Sequence, residues 1–198
     1  SYRLLHHEGV YLPLGLGPAG MVSEALLLYM KSPAVHGALN MIIRYQLTKD
    51  RTYARKIYPF LKCVADFWEK DLVCIDGSYH IIGDGMHERV TSHVLENGLP
   101  ENPSNTIGYL RTFFEAMPVI AADLDMDSDK ITVWNTIREH LCPYPVGTIR
   151  EVSGDPKLWA GDNFPLAELL PESELDKKVY FNETAGGKWS THFPGNIM

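Results

Sequence analysis

Apolar residues recur three or four positions apart in the first half of the chain, a spacing that places them on one face of an α-helix. One such segment begins at Ser32-Pro33, with Ser32 as the predicted N-cap, and a second begins after Asp50, which we expect to cap it. Pro59 should kink or restart the second helix, because proline lacks a backbone donor. Cys63 lies within the same apolar run and is predicted to be a buried thiol.

The second half of the chain repeats this pattern. A third helix is predicted to start at Ser104 or Asn105 and to be interrupted at Pro118, and a fourth is predicted after Asp127, which should cap it. Asp76-Gly77 separates two short β-prone segments and predicts a β-hairpin. We therefore predict an all-α fold of helical hairpins with small β-hairpin insertions, in a single domain over residues 1–198.

Composition narrows the class of protein. A chain of 198 residues can bury a core, and its net charge of −7 argues against the basic surface of a nucleic-acid-binding protein. No apolar run approaches the length of a membrane span. Three widely spaced cysteines imply neither a disulfide framework nor a metal site.

The chain starts without Met or a signal peptide, and we expect it to be a segment of a longer protein. A second β-hairpin is expected around Gly186-Gly187.

Residues 81–111 read IIGDGMHERVTSHVLENGLPENPSNTIGYLR, a long polar stretch between the two helical hairpins. Connections of this length in compact domains often carry the function. Glu88 and Glu96 are candidates for the general acid of glycoside hydrolysis, which uses a pair of carboxyl groups. With His87 and His93 they are also suitable metal ligands, but their spacing matches no compact motif such as HExxH. Composition alone favours solvent-exposed loop carboxylates.

The helical segments resemble a known enzyme family. TKDRTYARKIYPFLKCVADFWEKDLV is similar to the hairpin before the acid-bearing loop of six-hairpin (α/α)6-barrel glycosidases, and GVYLPLGLGPAG resembles their entry segment. NPSNTIGYLRTFFEAM and ADLDMDSDKITVWNTIREHL resemble the next helical pair. The similarity covers about residues 9–141 and points to the α-L-fucosidase-like family 95 glycoside hydrolases and their relatives.

This resemblance implies an incomplete (α/α)6-toroid that takes part in inverting hydrolysis of an α-linked sugar without a cofactor. The family pattern "D..HE…NP…lG.ir" matches at Glu88, which would be the general acid. The alternative pattern "SPEN" matches at Glu96, although the proline before it is absent. The residues implied to orient the acid or to contact the sugar are four polar side chains of the same segment: Asp84, His87, Asn97 and Asn102.

The base of the reaction has no match in this chain, because the family's "NyW" motif is absent. The water-activating residues are therefore expected to lie outside these residues. Two other functions stay open: a non-catalytic carbohydrate-binding or scaffold module, and a lyase or epimerase with His87 or His93 as the base. The expected partner is an oligosaccharide or polysaccharide rather than a nucleic acid, a membrane or a metal. The compartment stays open, and a secreted or periplasmic parent protein is one alternative. An incomplete barrel exposes apolar helix faces, so self-association is also expected.

Overall fold

The computed structural model describes residues 9–10, 12, 30–84, 100–148, 150, 171–180, 183–185 and 188–190. This part of the chain is mostly helical, in agreement with the predicted class. Its four main helices are α1 (Pro33–Thr48), α2 (Arg51–Asp71), α3 (Ser104–Leu124) and α4 (Ile131–His140), and a single turn, α5, spans Glu172–Leu175. None of the helices in the described ranges is long and apolar enough to cross a membrane.

Short strands between and after the helices form small antiparallel sheets. The strands are β1 (Val73–Ile75), β2 (Ser78–His80), β3 (Pro100–Glu101), β4 (Val146–Thr148), β5 (Lys178–Tyr180), β6 (Glu183–Ala185) and β7 (Lys188–Ser190). The sheets are β1-β2, β4-β5 and β3-β6-β7. Both predicted hairpins are confirmed, and Asp76 (φ 49°) and Gly77 (φ 82°) adopt the left-handed conformations that a two-residue turn of type I′ requires.

The starts of α1 and α2 agree with the predicted positions but differ in how they are capped. The Asp50 carboxylate accepts hydrogen bonds from the backbone N–H groups of Thr52 (2.9 Å) and Tyr53 (3.0 Å), as predicted. Ser32 makes no capping bond with its side chain. Its backbone N–H donates instead to the carboxylate of Asp84, which comes from a distant part of the sequence. The prediction of Ser32 as a side-chain cap was therefore wrong.

The two later helices also start without the predicted caps. Helix α3 begins at Ser104 with Pro103 in the N-cap position, and that position makes no side-chain bond. Helix α4 begins at Ile131, and Asp127 lies in the preceding turn. The Asp127 carboxylate accepts a hydrogen bond from the Tyr58 hydroxyl (2.8 Å) on α2. A contact between the two hairpins has thus replaced the local cap.

The predicted restart at Pro59 and the predicted interruption at Pro118 are wrong, because α2 and α3 each run through the proline as one continuous helix. A proline inside a helix costs about 3 kcal/mol. Tyr58 next to Pro59, and Met117 and Ile120 near Pro118, are buried in the core. Each buried apolar side chain contributes about 1.5–3 kcal/mol. Burial of side chains near each proline therefore offsets the lost backbone bond.

The core lies between the two hairpins and combines aliphatic with aromatic side chains. Its largest fully buried members are Trp68, Trp134, Tyr58, Phe67, Phe113 and Phe114. The Trp134 indole donates to the Glu69 carboxylate (2.7 Å), which also binds the Lys130 ammonium (2.7 Å). Cys63 is exposed, contrary to the prediction, because it lies on the outer face of α2.

The main helices alternate in direction. Asp84 bonds to backbone just before α1 and to the first turn of α3, and Tyr45 near the end of α1 donates to Asp123 near the end of α3. Helices α1 and α3 are therefore parallel and level with each other. Helices α2 and α4 return in the opposite direction after short connections. The described residues that flank the candidate loop, Asp84 and Asn102, lie at the end where α1 and α3 begin.

Replacement of Asp50 by alanine should lower the free energy of unfolding by about 1 kcal/mol, because two N–H groups at the start of α2 lose their acceptor. Ser32→Ala is the matched control, since Ser32 makes no capping bond, and its effect should stay below about 0.5 kcal/mol. Urea denaturation followed by circular dichroism measures both values. Equal losses in the two variants would contradict this assignment of the caps.

Candidate functional site

Asp84 is a fully buried carboxyl group at the start of two helices. Its Oδ1 accepts hydrogen bonds from the backbone N–H groups of Lys31 (2.5 Å) and Ser32 (3.3 Å), which precede α1. Its Oδ2 accepts a bond from the hydroxyl of Thr106 (2.7 Å), in the first turn of α3. The positive end of the helix dipole favours an acidic group at both places. Asp84 therefore holds the two hairpins together at this end.

Burial raises the pKa of Asp84 from 3.8 to about 6, because desolvation disfavours the carboxylate more than its hydrogen bonds and the charge of Lys31 favour it. The Lys31 ammonium binds both oxygens of Asp71 (2.8 Å each) and the carbonyl of Ile82 (2.8 Å). The carboxyl group can therefore change its protonation near neutral pH. Because both of its oxygens already contact the helix starts, its geometry fits an anchor of the site better than a sugar ligand.

Asn102 lies at the return of the loop and adopts a left-handed conformation (φ 52°), which asparagine tolerates better than most residues. Its side-chain Oδ1 accepts bonds from the backbone N–H of Ile81 (3.0 Å) and the thiol of Cys142 (3.2 Å). Its Nδ2 lies 3.1 Å from Nδ1 of His80. The side chain thus ties β2, the loop return and the end of α4 together.

The two ends of the loop are joined by a short pairing that we call the neck, formed by residues 81–82 and 101–102. The Asn102 backbone N–H donates to the Ile81 carbonyl (2.8 Å), and Ile82 forms an antiparallel bridge with Glu101. The neck holds the described residues on either side of the candidate loop close together. It lies next to the Asp84 anchor in sequence.

Of the residues predicted for the site, the structure places Asp84 and Asn102 at the same end of the helices. Both take part in hydrogen bonds within the fold. The remaining candidates lie in residues 85–99, outside the described ranges: Glu88, Glu96, His87 and Asn97. The described residues therefore form the frame that holds both ends of the candidate acid-bearing segment.

Sequence reasoning missed several residues of this frame. Thr106, His80 and Cys142 have no motif around them, and only their contacts with Asp84 and Asn102 identify them. Burial raises the pKa of the Cys142 thiol to about 11, so it stays protonated near neutral pH and is a poor nucleophile. Arg111 donates to the carbonyls of Leu141 (3.1 Å) and Cys142 (3.0 Å) and holds the chain after α4 in place.

The acidic turn between α3 and α4 lies at the opposite end of the helices. Asp123 and Asp127 accept bonds from the hydroxyls of Tyr45 and Tyr58, and Asp125 pairs with Arg51 (3.5 Å). The bond to Asp123 and burial raise the pKa of Tyr45 to about 12. Within the described ranges, no three potential metal-binding side chains lie together. This turn connects the hairpins to each other.

No protein-family model matches the sequence, and no curated protein is significantly similar to it. The function is therefore argued from the frame of the candidate site and from the residues that lie between its two ends.

Replacement of Asp84 by asparagine keeps the shape of the side chain and removes its titration. A pKa that is higher in the folded protein than the usual value of 3.8 means that folding favours the protonated acid. The wild type should therefore lose stability relative to Asp84→Asn as the pH rises from 4 to 7, by up to about 3 kcal/mol for a shift of about two pH units. Urea denaturation at the two pH values measures this difference. A difference that is independent of pH, or that changes in the opposite direction, would contradict the raised pKa.

Proposed function

We propose that this chain supplies the acid-bearing part of a six-hairpin glycoside hydrolase that cleaves an α-linked sugar with inversion. Glu88 is the general acid in this proposal, and Glu96 is the alternative. The observation that carries it is the frame around residues 85–99. Asp84 anchors one end of this segment to the starts of α1 and α3, and the neck joins it to the other end.

The arrangement of the helices supports the architectural part of the proposal. Parallel helices α1 and α3, each followed by a helix of opposite direction, have the order expected for two of the six hairpins of an (α/α)6-toroid. Ile43 and Leu47 on α1 are 49% and 81% exposed, one helical turn apart. Further hairpins of a toroid would cover an apolar stripe of this kind.

The electrostatics of this end of the fold support the chemical part. A general acid must hold its proton near the working pH, and burial is one way to raise a carboxyl pKa far enough. Asp84, at the start of the proposed acid loop, has its pKa raised to about 6 by burial. The same end of the helices therefore raises the pKa of one carboxyl group towards neutral pH. Glu88 follows Asp84 by four positions.

Product analysis of the full-length protein with Glu88→Gln and Glu96→Gln variants tests the proposal. We expect Glu88→Gln to lower kcat on unactivated α-linked oligosaccharides by about 10²–10⁴-fold, because the leaving group loses its proton donor. Glu115→Gln is the control, since Glu115 is an exposed glutamate on α3. The activity of this variant should equal that of the wild type. Nuclear magnetic resonance of the first product gives the anomeric configuration, and inversion is expected.

Other results of this experiment would point to the competing functions. An unsaturated product would show elimination and would favour a lyase with a histidine base. Sugar binding without turnover in the wild type would favour the non-catalytic module. Either result would contradict a glycoside hydrolase.

Residues 1–198 alone should give no turnover of aryl glycosides, because this segment has no match to the family's water-activating motif. An assay with a fluorogenic substrate compares this segment with its Glu88→Gln variant. Turnover by the segment that disappears in the variant would overturn the view that the base lies outside it.

A further inference from the structure

The orientation of the Asn102 side-chain amide is fixed by a backbone N–H group, which can only donate a hydrogen bond. The backbone N–H of Ile81 only donates, so the side-chain atom 3.0 Å from it must be the oxygen of the amide. The thiol of Cys142 donates to the same oxygen. The amide nitrogen therefore faces Nδ1 of His80 at 3.1 Å.

This orientation determines the protonation of His80. The amide NH₂ of Asn102 has only donors, so Nδ1 of His80 must accept and the ring proton must lie on Nε2. A second proton on the ring would place two donors opposite each other at hydrogen-bond distance. We propose that His80 and Asn102 form a proton-sensitive latch on the neck, closed while His80 is neutral and loosened when it is protonated.

The surroundings of the latch contain other groups that carry or exchange protons. They are Glu101 on β3, Arg111 on α3, the Cys142 thiol after α4, the Lys31–Asp71 pair at the Ile82 carbonyl, and Asp84. The raised pKa of Cys142 keeps its S–H donor in place through the range in which histidines titrate. Asp84 titrates within that range and is the main competitor for any effect of pH.

The latch makes His80 and Asn102 positioning residues for the candidate active site. They hold the neck, and the neck fixes both ends of the segment that contains Glu88 and Glu96. The latch itself rests on the bonds among the described residues, whereas its effect on catalysis rests on the proposed function. In that case acid pH would lower kcat, because the loosened neck would no longer hold the two ends of the segment that contains Glu88.

Nuclear magnetic resonance tests the latch without any substrate. At pH 8, the ¹⁵N shifts of His80 should show an unprotonated Nδ1 and a protonated Nε2. Hydrogen-exchange protection factors of the Ile81 and Asn102 amides, corrected for the intrinsic rate, should fall about fivefold or more between pH 8 and pH 5, as expected for one lost hydrogen bond. Protection in the core of α2, at Val64, should not fall over this step, because protonation of Asp84 stabilises the fold as the pH drops.

Variants separate the contribution of His80 from that of the other ionisable groups. Glutamine offers an acceptor that does not titrate, and leucine offers no acceptor. The fall in protection of the Ile81 and Asn102 amides between pH 8 and pH 5 should therefore disappear in both His80→Gln and His80→Leu. His36→Gln, at an exposed histidine stacked on Tyr109, and Asp84→Asn should both retain the change. A wild-type neck that is insensitive to pH, or a change that persists in His80→Gln, would overturn the latch.

The effect on catalysis has its own measurement in the full-length protein. His80→Gln should keep more of its kcat at pH 5 than the wild type, with KM little changed. If the full-length protein hydrolyses no glycoside, the proposed function is contradicted, but the hydrogen-exchange test of the latch still stands. If hydrolysis depends on Glu88 but amide protection at the neck does not change with pH, only the latch is contradicted.

Discussion

The buried carboxyl group of Asp84 is the contact on which the arrangement of the two helical hairpins depends. A buried carboxyl group costs free energy unless hydrogen bonds satisfy it, and here the donors come from the starts of two different helices. Its partners Lys31, Ser32 and Thr106 must therefore lie at the same height. This requirement makes α1 and α3 parallel and level, and it places the return helices α2 and α4 in the opposite direction.

The same anchor links the fold to the proposed chemistry. The Asp84 anchor precedes the candidate loop, and Asn102 follows it with a side chain and a backbone that both pair with Ile81. A loop with fixed ends can carry catalytic side chains on a rigid scaffold, as loops of enzymes often do. Different residues therefore have the two roles: Asp84 and Asn102 form the frame, whereas Glu88 or Glu96 is the proposed acid.

Features set by neighbours in sequence were predictable, whereas contacts across the fold were not. The cap at Asp50 and the turn at Asp76-Gly77 follow from local backbone chemistry, and the structure confirms both. Helix α3 continues through Pro118 because the surrounding core stabilises it, and Asp127 bonds to a tyrosine on another helix instead of capping α4. The role of Asn102 depends on partners up to 40 positions away, which no local pattern contains.

Titration of the Asp84 carboxyl carbon by ¹³C nuclear magnetic resonance tests the central claim most directly. Burial against two helix starts predicts a midpoint near pH 6, well above the usual value of 3.8. The signals of Lys31, Ser32 and Thr106 should change with the same midpoint, because these residues donate to the carboxyl group. A midpoint at or below 3.8, with no accompanying change at the two helix starts, would contradict the account.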